Sequence, residues 1–169
     1  MPLLAAKSDA TLTALKGWNP SLQRNFNDSV FGSTTYNFGP SVVCDFHVDH
    51  LNWAAGICAV TSGGSYDYKQ GGHLVLKDIK VILEFPPCTT ILLPSAAIKH
   101  GNVPIQHGET RISMTQYTAG GLLRWVNYGF KSAEEFKSAA TDVSSGVTDV
   151  NARWAEFISL YSKLSDFTI

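Results

Sequence analysis

Between Ser33 and Val126 glycine and proline interrupt the chain so often that no long helix fits there. The separators are Gly39-Pro40, Gly63-Gly64, Gly71-Gly72, Pro86-Pro87, Pro94, Pro104, Gly108 and Gly120-Gly121. The runs between them are short and rich in Val, Ile, Leu, Thr and Tyr, residues that suit a pleated, half-buried surface. They predict strands at Thr34–Phe38, Val42–Val48, Ala54–Thr61, His73–Leu76, Val81–Phe85, Thr90–Leu93, Ala97–Gly101, Arg111–Tyr117 and Leu122–Trp125. About eight closely spaced strands of this kind predict a sandwich, jelly roll or barrel.

The two ends read differently. Leu12 and Leu15, then Leu22 and Phe26, recur at helical spacing, with Gly17, Asn19 and Pro20 between the two stretches. Ser132 with Glu135 three residues on is a capping-box pattern. Trp154, Phe157, Ile158, Tyr161 and Leu164 form an apolar stripe that is expected to pack on the sheet as core. A chain of 169 residues suits one domain. The expected organisation is a single domain over 1–169. Residues 1–32 form a helical support, 33–130 the β core and 131–169 a helical tail.

Composition narrows the function classes. With 44% hydrophobic and 16% charged residues the chain can build a packed core, which excludes disorder as its main state. Thirteen Lys and Arg against fourteen Asp and Glu give a net charge of −1, which argues against a binder driven by phosphate neutralisation. Lys69, Lys77, Lys80 and Lys99 flank the middle strands without forming a stripe. No apolar run approaches the roughly 20 residues that span a bilayer, so no membrane partner is expected. Met1 to Trp18 carries Lys7, Asp9 and Lys16 and lacks the apolar centre of a secretory signal. Cys44, Cys58 and Cys88 are an odd number in separate apolar settings and read as buried thiols in a reducing compartment. The expected location is intracellular, cytoplasmic or nuclear.

Three features can carry chemistry. In His47-Val48-Asp49 the His and Asp are two apart, so on a strand they present an imidazole and a carboxylate on one face. Alone, His-x-Asp is common by chance, and a strand-end His bonded to a carboxylate explains it equally well. His100 follows 51 residues after Asp49 (100 − 49). Two His and one carboxylate on one side of a metal make the facial triad of non-haem Fe(II) oxygenases, which leaves positions open for co-substrate and dioxygen. Arg111 and Ser113 share a strand face, where a guanidinium and a hydroxyl can grip the distal carboxylate of 2-oxoglutarate. The plain alternative is a surface Arg111 paired with Glu109. His50, one residue from Asp49, faces away on a strand. His73 starts a strand, and His107 lies four residues before Arg111, so these three are assigned to structure or surface.

Taken in order, His-x-Asp, a spacer of about fifty residues, His and Arg-x-Ser, the pattern resembles the Fe(II)/2-oxoglutarate-dependent dioxygenase superfamily over roughly Thr34 to Phe130. That resemblance implies a double-stranded β-helix (jelly-roll) core within a mainly β fold with flanking α-helices. It implies Fe(II) on His47, Asp49 and His100, and 2-oxoglutarate on Arg111 helped by Ser113. Gly71-Gly72-His73-Leu74-Val75-Leu76 is similar to the family's Gly-Gly-x-Leu turn and strand. Glu84-Phe85-Pro86-Pro87, Asn102-Val103-Pro104-Ile105, Gly108-Glu109-Thr110-Arg111 and Thr115-Gln116-Tyr117-Thr118-Ala119-Gly120-Gly121 resemble a group of such domains in mushroom-forming fungi. That group is similar to the TET/JBP branch, which oxidises 5-methylpyrimidines in DNA. His47-Val48-Asp49-His50-Leu51-Asn52 resembles the branch's His-x-Asp-x-x-Asn, whose Asn helps to hold the base. Arg111-Ile112-Ser113 resembles its Arg-Ile-Ser.

The implied activity is hydroxylation of a C–H bond with dioxygen as co-reactant. The implied substrate class is a methylated nucleobase in DNA, with Asn52 as a substrate residue, and a flipped base also needs a stacking aromatic, for which Tyr117 is the candidate. Trp53, Tyr66 and Tyr68 are further aromatic candidates for stacking on a flipped base. The chain departs from the TET type in having no Cys-rich zinc-binding region and no long insert in the spacer. It begins 46 residues before His47, whereas the related fungal proteins extend further upstream, so a short paralogue or a fragment is expected. Two other functions fit the same residues: a non-catalytic jelly-roll binding module, and a zinc hydrolase using the same three ligands.

Overall fold

The structure, a computed structural model, describes residues 1–139 and 150–167. The chain divides into two compact units. One spans Phe31–Ala119, and the other gathers Met1–Val30 with the described residues from Gly120 onward.

The first unit is all β. Its strands are β1 (Ser33–Asn37), β2 (Cys58–Ser65), β3 (Leu74–Leu76), β4 (Val81–Leu83), β5 (Thr90–Leu93), β6 (His100–Asn102) and β7 (Thr110–Tyr117). They form a four-stranded sheet in the order β1-β7-β2-β5 and a three-stranded sheet in the order β4-β3-β6, with every ladder antiparallel. Apart from the β3–β4 hairpin, neighbours in these sheets are far apart in sequence, as in a jelly roll. The core lies between the sheets. Cys58 and Leu93 from the larger sheet meet Leu74 and Leu76 from the smaller, with Phe85 beside them. Period-two alternation produces this, because each strand turns every second side chain inward.

The strand bounds differ from expectation in instructive places. Gly63-Gly64 is no separator but the far half of β2, paired with Ile112 and Arg111. Gly64 takes φ +106°, and a Cβ there would run into the Thr110 carbonyl, so the glycine lets two strands pass close together. Ala54–Gly56 is a turn, closed by the Gly56 amide on the Trp53 carbonyl at 2.8 Å, so β2 starts only at Cys58. Ala97 and Ile98 both donate to the Pro94 carbonyl at 3.0 Å, which delays β6 to His100. The expected strand Val42–Val48 does not form: within it only His47 makes an isolated bridge, to His100, and Ser41 just before it bridges Arg111.

The second unit is helical. Its helices are α1 (Pro2–Trp18), α2 (Gly120–Asn127), α3 (Ala133–Ala139) and α4 (Val150–Ser159). The expected strand Leu122–Trp125 lies inside α2. Leu122, Leu123 and Val126 stand three and four apart, and that helical spacing puts Leu123 in a buried position. Trp18 of α1 stacks on Phe130 at 5.5 Å and meets Trp125 edge-on at 5.6 Å. No helix forms over Leu22–Phe26. The Asn19 side chain takes the Ser21 amide at 3.1 Å in an Asx turn, and Arg24 is tied to Asp9 of α1 at 2.6 Å. The capping box does form. The Ser132 amide donates to Glu135 at 2.7 Å and the Glu135 amide to the Ser132 hydroxyl at 3.1 Å, so the Glu135 carboxyl sits below its ordinary pKa. The C-terminal stripe is not core. Trp154, Ile158 and Leu164 are all exposed. No helix among the described residues is long and apolar enough to cross a membrane.

Candidate metal centre

The segment carrying His47 is held against β6 by a mixture of backbone and side-chain bonds. His47 and His100 exchange both backbone hydrogen bonds at 2.9 Å. Two residues away the ladder is continued by a side chain. The Cys44 amide donates to Asn102 Oδ1 at 2.8 Å, and Asn102 Nδ2 donates to the Val42 carbonyl at 3.1 Å. The backbone shares the work, since the Asn102 amide donates to the Cys44 carbonyl at 3.1 Å, and the side-chain amide stands in only for the Asn102 carbonyl as acceptor of the Cys44 N–H. Gly101 permits the approach: a Cβ there would stand 2.9 Å from the Cys44 carbonyl and 3.0 Å from the Phe46 ring. Beyond His47 the chain turns, and the Asp49 amide is caught by the Ser95 carbonyl at 3.0 Å.

These constraints bring His47, Asp49 and His100 together. One ligand atom from each lies within 4.8 Å of the other two. The imidazole rings are 4.5 Å apart, and His47 Nε2 stands 3.4 Å from Asp49 Oδ1. The tautomers follow from hydrogen bonding. His47 Nδ1 is 2.7 Å from the Asp45 carbonyl and His100 Nδ1 is 2.8 Å from the Ile98 carbonyl. A carbonyl only accepts, so each Nδ1 carries the proton, and in the neutral ring each Nε2 carries a lone pair. Two imidazole nitrogens and one carboxylate oxygen, converging from three directions, suit a divalent first-row metal.

Arg111 and Ser113 line the same cavity, which has a volume of about 680 Å³. Arg111 is 3% exposed, yet no carboxylate among the described residues pairs with it. Its Nη1 donates to the Val42 carbonyl at 3.1 Å, its guanidinium lies over the Phe85 ring at 5.9 Å, and its Nε is buried without a partner. Glu109 is engaged elsewhere, accepting the Asp67 amide at 2.7 Å and the Gln106 amide at 2.8 Å. A buried guanidinium with no counter-charge is expensive unless an anion joins it. Ser113 Oγ accepts a bond from Asn37 Nδ2 at 3.1 Å across the β1–β7 ladder, which leaves the hydroxyl proton free to donate to that anion. The sequence gives no sign of Asn37, because its role depends on strand register.

The remaining sequence candidates separate clearly. Asn52 and Tyr117 line the cavity. Trp53 and Tyr66 are buried, and the Tyr66 hydroxyl is taken by the Phe85 carbonyl, so both are fold residues rather than substrate platforms. Tyr68, His73 and His107 do not line the cavity. His50 does: it sits on a turn rather than a strand, exposed at the rim and outside the three-residue cluster. Cys58 is buried on the cavity wall, and its thiol is pushed up to about 11 by burial first, with the Asp49 charge adding to the effect and a Ser95 hydrogen bond opposing it. Thiolate is the reactive form. A thiol reagent near neutral pH is therefore expected to modify exposed Cys88 quickly, and Cys58 only after unfolding, as peptide mass mapping will read.

No family model and no curated protein matches the chain. Among solved structures it is similar to NgTET1 in complex with 5mC DNA, with a TM-score of 0.49 and 17% identity over 67% of this chain and 47% of that one. It is also similar to the viral collagen prolyl hydroxylase vCPH from Paramecium Bursaria Chlorella virus-1 in its 2OG complex. There the TM-score is 0.35 and the identity 13%, over 51% of this chain and 60% of that one. The chain thus spans about half the length of the first and three fifths of the second.

Proposed function

We infer that this chain is an Fe(II)- and 2-oxoglutarate-dependent dioxygenase of the TET/JBP-like kind, acting inside the cell on a C–H bond of a methylated nucleobase in DNA. One observation carries the reading: a His-Asp-His cluster whose ligand atoms lie within 4.8 Å of one another shares a cavity with a buried arginine that pairs with no carboxylate among the described residues. The residues fit both groups. Two imidazoles and a carboxylate are a donor set for ferrous iron, and a buried guanidinium beside a free hydroxyl proton is a receptor for a carboxylate. A zinc hydrolase would use the same three ligands but has no need of that receptor, and a non-catalytic binding module has no need of the paired arrangement.

His47, Asp49 and His100 would hold the metal through one atom each. Arg111 and Ser113 take the far carboxylate of 2-oxoglutarate and so fix which end of it reaches the metal. When bound, iron would let dioxygen take two electrons from 2-oxoglutarate, which leaves as succinate and carbon dioxide with one oxygen atom, and two from the substrate C–H bond, which becomes C–OH with the other. Cys58, Val60 and Leu74 give the cavity apolar walls that limit water around the reacting groups. Tyr117 and Asn52 line the same cavity and are assigned to the substrate base.

An anaerobic titration of the purified chain with Fe(II) and 2-oxoglutarate tests the assignment. A weak visible charge-transfer band that saturates with both components is expected, followed by succinate release when oxygen is admitted. A folded chain that gives neither overturns it. Zinc retention without either signal points to the hydrolase.

A further inference from the structure

Asn52 has a second duty. Its Nδ2 stands 3.1 Å from Asp49 Oδ2 and 3.2 Å from Ser95 Oγ, and its backbone amide donates to the Asp49 carbonyl at 3.0 Å. A carboxylate oxygen only accepts, so the amide face turned toward Asp49 is the NH₂ group, and both of its protons are committed. The other Asp49 oxygen, Oδ1, faces His47 Nε2. The two oxygens of this carboxylate are thus assigned to different partners. Ser95, 1% exposed, anchors the far side of the arrangement and also holds the Asp49 amide through its carbonyl.

We propose that Asn52 is a positioning residue that makes Asp49 a one-oxygen ligand, holding Oδ2 away from the metal so that three coordination positions stay open. The inference rests on the metal-site reading above. A carboxylate free to swing binds a metal through both oxygens and closes one of those positions. The bonds to Asp49 and Ser95 also define what Asn52 can offer a substrate. Only Oδ1 is left, an acceptor, so the substrate group facing it must be an N–H or O–H donor.

The test uses Mn(II), a spectroscopic substitute that favours six-fold coordination, with the full chain and Asn52→Ala. Wild type is expected to show about three exchangeable waters on bound Mn(II) by water-proton relaxation, and Asn52→Ala about two. Affinity for Mn(II) is expected to fall about 10- to 100-fold, the usual effect of losing an outer-shell partner. Asn52→Leu, which fills similar space without donors, is read in the same way and covers a failure of the alanine variant to fold. An unchanged water count at saturation in a folded variant overturns the inference, whatever the affinity. Wild type that takes up no Mn(II) overturns the reading of the site itself, and this inference with it.

Discussion

His100→Ala is expected to abolish metal uptake and, with it, 2-oxoglutarate decarboxylation. The side chain is 7% exposed, its Nδ1 is pinned to the Ile98 carbonyl, and its Nε2 is one of only three ligand atoms in the cluster. Loss of a mere outer-shell partner weakens a metal site about 10- to 100-fold. Loss of one of three direct ligands must exceed that, so Fe(II) affinity is expected to fall more than about 100-fold. Isothermal titration with Co(II), which resists oxidation, reads the affinity, and succinate release reads the turnover. The backbone pairing of His47 with His100 does not involve the imidazole, so the fold is expected to survive. The informative controls are the other histidines. His73→Ala and His107→Ala, which lie off the cavity, and His50→Ala, which lies on its rim, are expected to keep wild-type metal affinity. Parent-rate decarboxylation by His100→Ala sinks the ligand assignment.

The parts of this molecule that could be read from sequence are those set by short-range geometry. The two-residue spacing of His47 and Asp49 put an imidazole and a carboxylate near each other, and the Ser132–Glu135 spacing announced a capped helix. Gly-Pro punctuation announced a β-rich middle because it acts within a few residues. What could not be read depends on distant register. Gly63-Gly64 looks like a turn until it is known that Arg111 and Ile112 lie directly across from it. Val42–Val48 looks like a strand until its pairing with β6 is seen to rest on one isolated bridge and on the Asn102 side chain. Leu122–Trp125 has a composition that suits either strand or helix, and the helical spacing that buries Leu123 decided it. The stripe from Trp154 to Leu164 has helical spacing, but spacing does not say what, if anything, covers it. Asn37 and Ser95 were missed for the same reason: an amide and a hydroxyl carry no signal until their partners, Ser113 and Asn52, are in place.

Arg111→Met separates the two halves of the site and predicts opposite signs for stability and binding. Arg111 is buried beside an aromatic ring with one carbonyl bond and an unpartnered Nε, so it is a desolvated charge that no carboxylate among the described residues pairs with. Replacing such a group by an apolar side chain of similar length is often neutral or stabilising, by about 1–4 kcal/mol where a buried ionic group is removed entirely. The Val42 carbonyl keeps its bond from Asn102, so the substitution leaves no buried acceptor without a partner. The apo-protein is therefore expected to melt at the same temperature as wild type or above it. Binding moves the other way. Removing one member of a buried charge pair weakens it by about 3–5 kcal/mol, which corresponds to a loss of roughly 10²- to 10³-fold or more in affinity for 2-oxoglutarate. Because a ligand stabilises the form it binds, 2-oxoglutarate added to the metal-loaded proteins should raise the wild-type melting temperature further and leave that of Arg111→Met at its metal-loaded value. Metal affinity should be the same in both, since Arg111 touches none of the three ligands. A variant whose apo form is sharply destabilised while its 2-oxoglutarate response persists would make Arg111 a structural clamp on Val42 and remove the co-substrate anchor from the site.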